Sequence, residues 1–122
     1  MQKAYFYRQG WVLPQTKDAE KALLRNDVEA ITAVRFYELS EEVFEGLWEK
    51  GLFKSVNKAL GTMLDEFEEE TINPEHIPLL KKTVVRFKRR TKLGSMENEG
   101  VTELISFCES AIKSNFPLFV VL

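Results

Sequence analysis

The stretch Phe116-Pro117-Leu118-Phe119-Val120-Val121-Leu122 decides the predicted fold of this chain. Five consecutive residues after the proline are apolar, so a strand formed by them would bury both of its faces. A strand of this kind lies inside a sheet that helices cover. The sequence therefore predicts a layered fold in which residues 118–122 form an inner strand.

Two further segments favour strands. Residues 3–8 are rich in the aromatic types that suit a pleated surface, and residues 11–13 continue this pattern after a turn predicted at Gly10. Residues 31–39 are dense in strand formers and form too short a run for a confident helix. We therefore expect a small sheet of about three strands, near 3–8, 31–39 and 118–122.

About four helices are expected to cover this sheet. Thr16 is the predicted N-cap of a short helix that reaches Arg25. Ser40 is the predicted N-cap of a longer apolar pattern that stays in phase to Phe67, with a bend or break near Gly51.

Two more helices are predicted in the second half of the chain. Apolar residues 77, 80, 84 and 87 align on one helical face, although 83–88 would also suit a strand. The polar residues 94–100 predict a loop, and a last helix follows from Val101. The resulting order of elements predicts an α/β or α+β fold in a single domain, residues 1–122.

The composition excludes several classes of protein. The chain has 122 residues, 44% of them hydrophobic and 30% charged, as is typical of a globular domain. No apolar run approaches the roughly 20 residues that cross a bilayer, and the first residues lack the order of a secretory signal. The single cysteine excludes an internal disulfide. We expect a cytoplasmic protein that does not contact a membrane.

The sequence contains no recognisable catalytic or metal-binding motif. His76 is the only histidine, and the chain lacks paired cysteines, a glycine-rich phosphate loop and a nucleophile elbow. Cys108 lies within an apolar helical face and is predicted to be a buried hydrophobe. We therefore predict no catalytic residue, no cofactor and no metal site.

Acidic side chains are concentrated between residues 38 and 70. Ten acids against three lysines give this segment a net charge of −7, in a chain whose total is −2. The run 68–70 is expected at a helix C-terminus, where the helix dipole disfavours it. Near the start of the same helix, four glutamates share one side, with Trp48 beside them as an anchor if it lies outside the core. These candidate partner-binding residues are Glu41, Glu42, Glu45, Trp48 and Glu49.

This segregation of charge favours a non-catalytic protein-binding module. Opposite charge accelerates the association of two proteins and excludes wrong partners, so the expected partner is a basic protein. In its sharpest form, the hypothesis is a small cytoplasmic inhibitor or immunity-type protein that neutralises a basic enzyme or toxin through the acidic helical surface. The identity of the partner and the oligomeric state stay open.

A basic segment follows the acidic one and carries the alternative hypothesis. Residues 81–92 hold seven of the 17 basic residues and no acid. In a helix, four of them would form a basic ridge opposite the apolar stripe: Lys82, Arg86, Arg89 and Arg90. This ridge would bind nucleic acid or phosphate. Alternatively, the helices before and after Asn73-Pro74 form an antiparallel pair, in which Lys81 and Lys82 neutralise part of the glutamate run. A small carboxylate-based enzyme, with His76 as a proton carrier, is the third hypothesis.

Overall fold

The computed structural model describes residues 9–25, 27, 33–62, 64 and 69–122. Over these residues the chain has an α+β fold with one four-stranded antiparallel sheet and five α-helices. The elements follow in the order β1 (Gly10–Pro14), α1 (Lys17–Leu24), β2 (Val34–Glu38), α2 (Glu41–Glu49), α3 (Leu52–Leu60), β3 (Glu69–Ile72), α4 (Ile77–Arg90), α5 (Ser95–Ser114) and β4 (Leu118–Val121). A 3-10 turn, Pro74–His76, precedes α4.

The strand that ends the chain lies in the interior of the sheet, as predicted. The strand order is β2-β1-β4-β3, so β1 and β4 are central and β2 and β3 form the edges of the described sheet. Trp11 of β1 lies opposite Tyr37 of β2 and Val120 of β4. All four residues of β4 are buried, which explains its continuous apolar sequence.

Helices cover both faces of the sheet. Side chains alternate between the faces, so Trp11 and Val120 pack into the core formed with α2, α3, α4 and α5. Val12 and Phe119 point to the opposite face, where they pack against Ala22 of α1. The four-helix side holds the larger core and therefore sets the positions of the surfaces described below.

The first strand among the described residues, β1, includes residues 11–13, for which the sequence favours a strand. The predicted strand at 3–8 lies outside the described residues, and the turn predicted at Gly10 is wrong because Gly10 belongs to β1. A Cβ atom at Gly10 would lie 1.9 Å from the carbonyl oxygen of Tyr37, so the close approach of β2 requires glycine here. The strand predicted at 31–39 is confirmed over Val34–Glu38 as β2, and residues 31 and 32 lie outside the described residues.

The long helical pattern after Ser40 divides into two helices. The hydroxyl of Ser40 accepts a hydrogen bond from the Val43 N–H at 3.2 Å and begins α2 as predicted. Gly51 adopts a left-handed conformation with φ of 91°, which ends α2 and starts α3 in a new direction. The predicted break near Gly51 is confirmed.

The continuation of that helix to Phe67 is wrong, because α3 ends at Leu60 and β3 follows. Hydrogen bonding to β4 stabilises β3, and this pairing is not visible in the local sequence. Glu69 and Glu70 therefore lie in an edge strand, not at a helix C-terminus.

The last two helices differ in how well the sequence predicts them. Residues 83–88 are helical, since Ile77, Leu80, Val84 and Phe87 are all buried on one face of α4. The loop predicted at 94–100 is wrong, because α5 begins at Ser95. The Glu97 carboxylate accepts a hydrogen bond from the Gly94 N–H at 2.9 Å, which supplies the cap for this earlier start.

Two of the three described glycines with positive φ, Gly10 and Gly51, generate a stability prediction. We expect Gly51→Ala to lower the free energy of unfolding by about 1 kcal/mol, because only backbone strain opposes it and no atom lies within 4 Å of the added Cβ. Gly10→Ala should cost about 2–4 kcal/mol, because the Cβ also collides with the Tyr37 backbone. Urea unfolding of both variants measures the difference. Equal losses of unfolding free energy in the two variants would contradict the close approach of β2 at Gly10.

Candidate functional site

The acidic α2 surface consists of Glu41, Glu42, Glu45, Trp48 and Glu49. All five side chains are exposed, so Trp48 meets the condition that the sequence analysis set for an anchor, a position outside the core. At 100° per residue they occupy an arc of about 120° around the helix axis. Val43, Phe44 and Leu47 occupy the opposite side and anchor α2 in the core. The structure therefore brings the five predicted partner-binding residues together on one face.

Trp48 lies at the C-terminal end of this surface and is held by two other aromatic rings. Its ring centroid lies 5.9 Å from that of Phe44 and 5.9 Å from that of Phe53. Both neighbours are buried, yet Trp48 remains 42% exposed. The aromatic contacts restrict the ring while leaving a large apolar area open to solvent.

Two shallow grooves flank the Trp48 ring. One has a volume of about 340 Å³ and is lined by Phe44, Glu45, Trp48 and Glu49. The other, of about 360 Å³, lies towards α3 and includes Lys54 and Asn57. The exposed ring thus lies between two depressions, both lined by Glu49, with Glu45 in one and Lys54 in the other.

The carboxylates of the acidic α2 surface have no cationic partner among the described residues. The ion pairs of that part of the chain involve other groups, and none includes Glu41, Glu42, Glu45 or Glu49. The helix dipole favours Glu41 and Glu42 in the first turn, but not Glu49 at the last position of α2. The charge at that end is left uncompensated.

Lys50 directly follows this surface in the sequence but does not pair with its carboxylates. Its ammonium group forms an ion pair with Glu97, which joins the end of α2 to the first turn of α5. The hydrogen bond from Lys50, together with that from the Gly94 N–H, lowers the pKa of Glu97. This contact fixes the position of α5 against α2 and does not neutralise the acidic α2 surface.

The predicted basic ridge is present on α4, and the structure divides it. Lys82, Arg86, Arg89 and Arg90 are all exposed. Arg86 and Arg90 line a groove between α3 and α4, whereas Lys82 and Arg89 do not. The proposed neutralisation of the glutamate run is not seen among the described residues, where the ion pair of Lys81 is with Glu109 of α5, at 3.2 Å.

The α3–α4 groove contains functional candidates that the sequence analysis missed. Lys50 and Lys58 line it together with Arg86 and Arg90, although they are more than 25 positions away from those arginines. In the sequence, both lysines belong to the acidic segment 38–70, where they are two of the three cations among ten acids. Only the break at Gly51 and the packing of α3 on α4 place them beside the arginines.

A polar network that the sequence did not indicate connects β2 to α5. The Arg35 guanidinium lies 4.0 Å from the ring centroid of Phe107 and donates hydrogen bonds to Ser106 at 3.1 Å and Ser110 at 3.2 Å. Tyr37 donates a hydrogen bond to Glu99 at 2.9 Å. Burial, followed by this hydrogen bond, raises the pKa of Tyr37 to about 12. The network fixes an edge strand to α5.

The single cysteine and histidine occupy unremarkable positions. Cys108 is fully buried in the core, as predicted, and its burial raises the pKa of the thiol to about 12. His76 is exposed at the end of the 3-10 turn. Among the described residues, no group of three or more histidine, cysteine and acidic side chains could hold a metal ion.

Comparison with known proteins adds no family assignment. No protein-family model matches the chain, and no match was found among curated proteins or solved structures. None of the described helices is long and apolar enough to cross a membrane. The function is therefore inferred from the geometry of the two charged surfaces.

The raised pKa values of Cys108 and Tyr37 predict a loss of stability at alkaline pH. The unfolded chain releases these protons near pH 9 and pH 10, whereas the folded chain retains both to about pH 12. The unfolded state therefore binds fewer protons, and the free energy of unfolding falls between pH 9 and pH 12. Urea unfolding across this range should show a shallower fall for Cys108→Ala from pH 9, and for Tyr37→Phe from pH 10. Profiles parallel to wild type would contradict this assignment.

Proposed function

We propose that this chain is a non-catalytic protein-binding module whose acidic α2 surface binds a basic protein partner. The single observation that carries the proposal is the exposure of Trp48 beside four carboxylates that have no ion pair among the described residues. A tryptophan ring that is exposed among charged groups is characteristic of the residues that anchor protein–protein interfaces.

The Trp48 ring has the properties of an interface anchor. Residues that dominate binding energy are often tryptophans in partly enclosed positions, surrounded by polar groups. The contacts with Phe44 and Phe53 hold the ring before a partner arrives, so little side-chain entropy is lost on binding. The two flanking grooves offer space for side chains of the partner on either side of the ring.

The carboxylates specify the charge of the partner. Glu45 and Glu49 lie one turn apart on the same side of α2, where like charges at this spacing repel by a few tenths of a kcal/mol. Lysine or arginine side chains from a partner would relieve this repulsion. The carboxylates of α2 would also accelerate association with such a basic partner and repel acidic proteins.

The size of the chain suits a complex of ordinary dimensions. Its accessible surface is 7192 Å², so a standard interface of about 800 Å² per partner would cover roughly a ninth of it. Within the proposal, the sharpest form remains a cytoplasmic inhibitor or immunity-type protein that neutralises a basic enzyme or toxin.

Affinity capture from the source lysate tests the proposal through substitutions. The wild-type chain should retain a basic protein in stoichiometric amount, and the fourfold Glu→Gln variant at 41, 42, 45 and 49 should lose it. Trp48→Ala should weaken binding of the isolated partner by about 2 kcal/mol, roughly 30-fold. Trp48→Phe, which keeps ring contacts with Phe44 and Phe53, separates loss of the anchor from loss of local packing.

A control variant removes the same number of negative charges from positions outside the acidic α2 surface. Asp18→Asn, Asp27→Asn, Glu75→Gln and Glu109→Gln together alter four exposed acids outside α2. This control should capture the partner as wild type does, at both low and moderate salt. Capture that survives the α2 substitutions, or that fails equally in the control, would refute the acidic α2 surface as the binding site.

A further inference from the structure

A concave basic site lies between α3 and α4, on a different side of α3 from the acidic α2 surface. The groove has a volume of about 540 Å³, within the range of small-molecule sites. Its lining combines four cations, three hydroxyl groups and two apolar side chains. The residues are Lys50, Ser55, Lys58, Ala59, Thr83, Arg86, Phe87, Arg90 and Thr91.

Helical spacing explains why these side chains converge. Ser55, Lys58 and Ala59 lie three and four positions apart and share one side of α3. On α4, positions 83, 86, 87 and 90 follow the same spacing. Lys50 and Thr91 are the C-cap residues of α2 and α4 and complete the lining. The groove is therefore built from fixed elements of the fold.

The charges of the groove all have one sign. No carboxylate lines it, and Lys50 is the one lining cation that forms an ion pair among the described residues, with Glu97. The helix dipole favours a cation at Lys58 and at Arg90, which lie in the last turns of α3 and α4. It does not favour one at Arg86, which precedes the last turn of α4. Cations gathered in a concavity focus the field and attract an anion.

We propose that this groove binds the polyphosphate chain of a small phosphorylated molecule. Arg86 and Arg90 supply forked donors, which suit phosphate oxygens, and Lys58 adds a third charge. Ser55 and Thr91 offer hydroxyl donors. The Thr83 hydroxyl already donates to the Leu79 carbonyl at 2.8 Å, so its proton is not available to a phosphate oxygen. Ala59 and Phe87 form an apolar wall for the part of the ligand beyond the phosphates.

The division of the basic ridge favours a small ligand over nucleic acid. Lys82 and Arg89 lie outside the groove, so the four ridge residues do not line one continuous track for a phosphate backbone. The net charge of −2 also disfavours non-specific binding of a long polyanion. The proposal does not depend on the acidic α2 surface, since the lining residues belong to a separate set.

Isothermal titration calorimetry at 150 mM NaCl tests the groove, with tripolyphosphate and ATP as probes. Arg86→Gln combined with Arg90→Gln should weaken binding by at least about tenfold, because charge-assisted hydrogen bonds to the phosphates are lost. Lys82→Gln combined with Arg89→Gln is the matched control, with the same change of charge on the same helix. It should alter affinity less than about threefold, since it acts only through screened, longer-range attraction.

A variant with unchanged charge distinguishes binding in the groove from general electrostatic attraction to the surface. Ala59→Phe adds a ring to the groove without changing charge, and it should abolish binding while thermal unfolding confirms that the variant folds. Tighter binding of ATP than of tripolyphosphate indicates that the nucleoside is also recognised, and equal binding indicates recognition of the phosphates alone. Both results support the proposal.

Three results would overturn the proposal that the groove binds a polyphosphate chain. They are the absence of binding to either probe, equal weakening in the two double variants, and tighter binding of a 12-nucleotide single strand than of either probe.

Discussion

Burial of Trp11 in the central strand β1 is the constraint on which the rest of the structure depends. The side chain is fully buried, and its indole N–H donates a hydrogen bond to the Gly100 carbonyl of α5 at 3.1 Å. Its ring lies 6.4 Å from that of Phe53 on α3. One residue thereby fixes the sheet against two helices that are distant in sequence. An indole buried without its hydrogen bond would be costly, so α5 must lie where its carbonyl meets the ring.

The positions of both charged surfaces follow from this arrangement. The Phe53 ring lies close to both Trp11 and Trp48, so the core residue that anchors α3 also supports the exposed ring. The left-handed conformation of Gly51 then turns the chain between α2 and α3. As a result, Lys54 and Asn57 of α3 line a groove beside Trp48, while Lys58 lines the basic groove towards α4. Helix α3 is the shared wall between the two surfaces.

Local patterns predicted the parts of the fold that local physics determines. The caps at Thr16 and Ser40, the break at Gly51 and the apolar face of α4 depend on neighbouring residues, and the structure confirms them. The helix predicted as far as Phe67 left no strand at 69–72, because β3 is stabilised by pairing with β4, which follows only after α4 and α5.

The two charged surfaces also differ in whether neighbouring residues or tertiary packing determine them. The acidic α2 surface was predictable, because its members lie within nine residues of one helix. The basic groove was only half predictable, because Lys50 and Lys58 reach Arg86 and Arg90 through tertiary packing alone. Likewise, nothing near Arg35 in the sequence indicated that Ser106, Ser110 and Phe107 would receive its side chain.

The central claim is that α3 separates two surfaces of opposite charge that act independently. The most direct measurement is a ¹⁵N–¹H correlation spectrum of the wild-type chain during titration with tripolyphosphate. The account predicts amide shift changes confined to residues 50–59 and 83–91, with the amides of residues 41–49 unchanged. Equal shift changes around exposed cations outside these ranges, such as Lys17, Lys82 and Lys113, would contradict this prediction, because they would show that the anion follows the general charge of the surface.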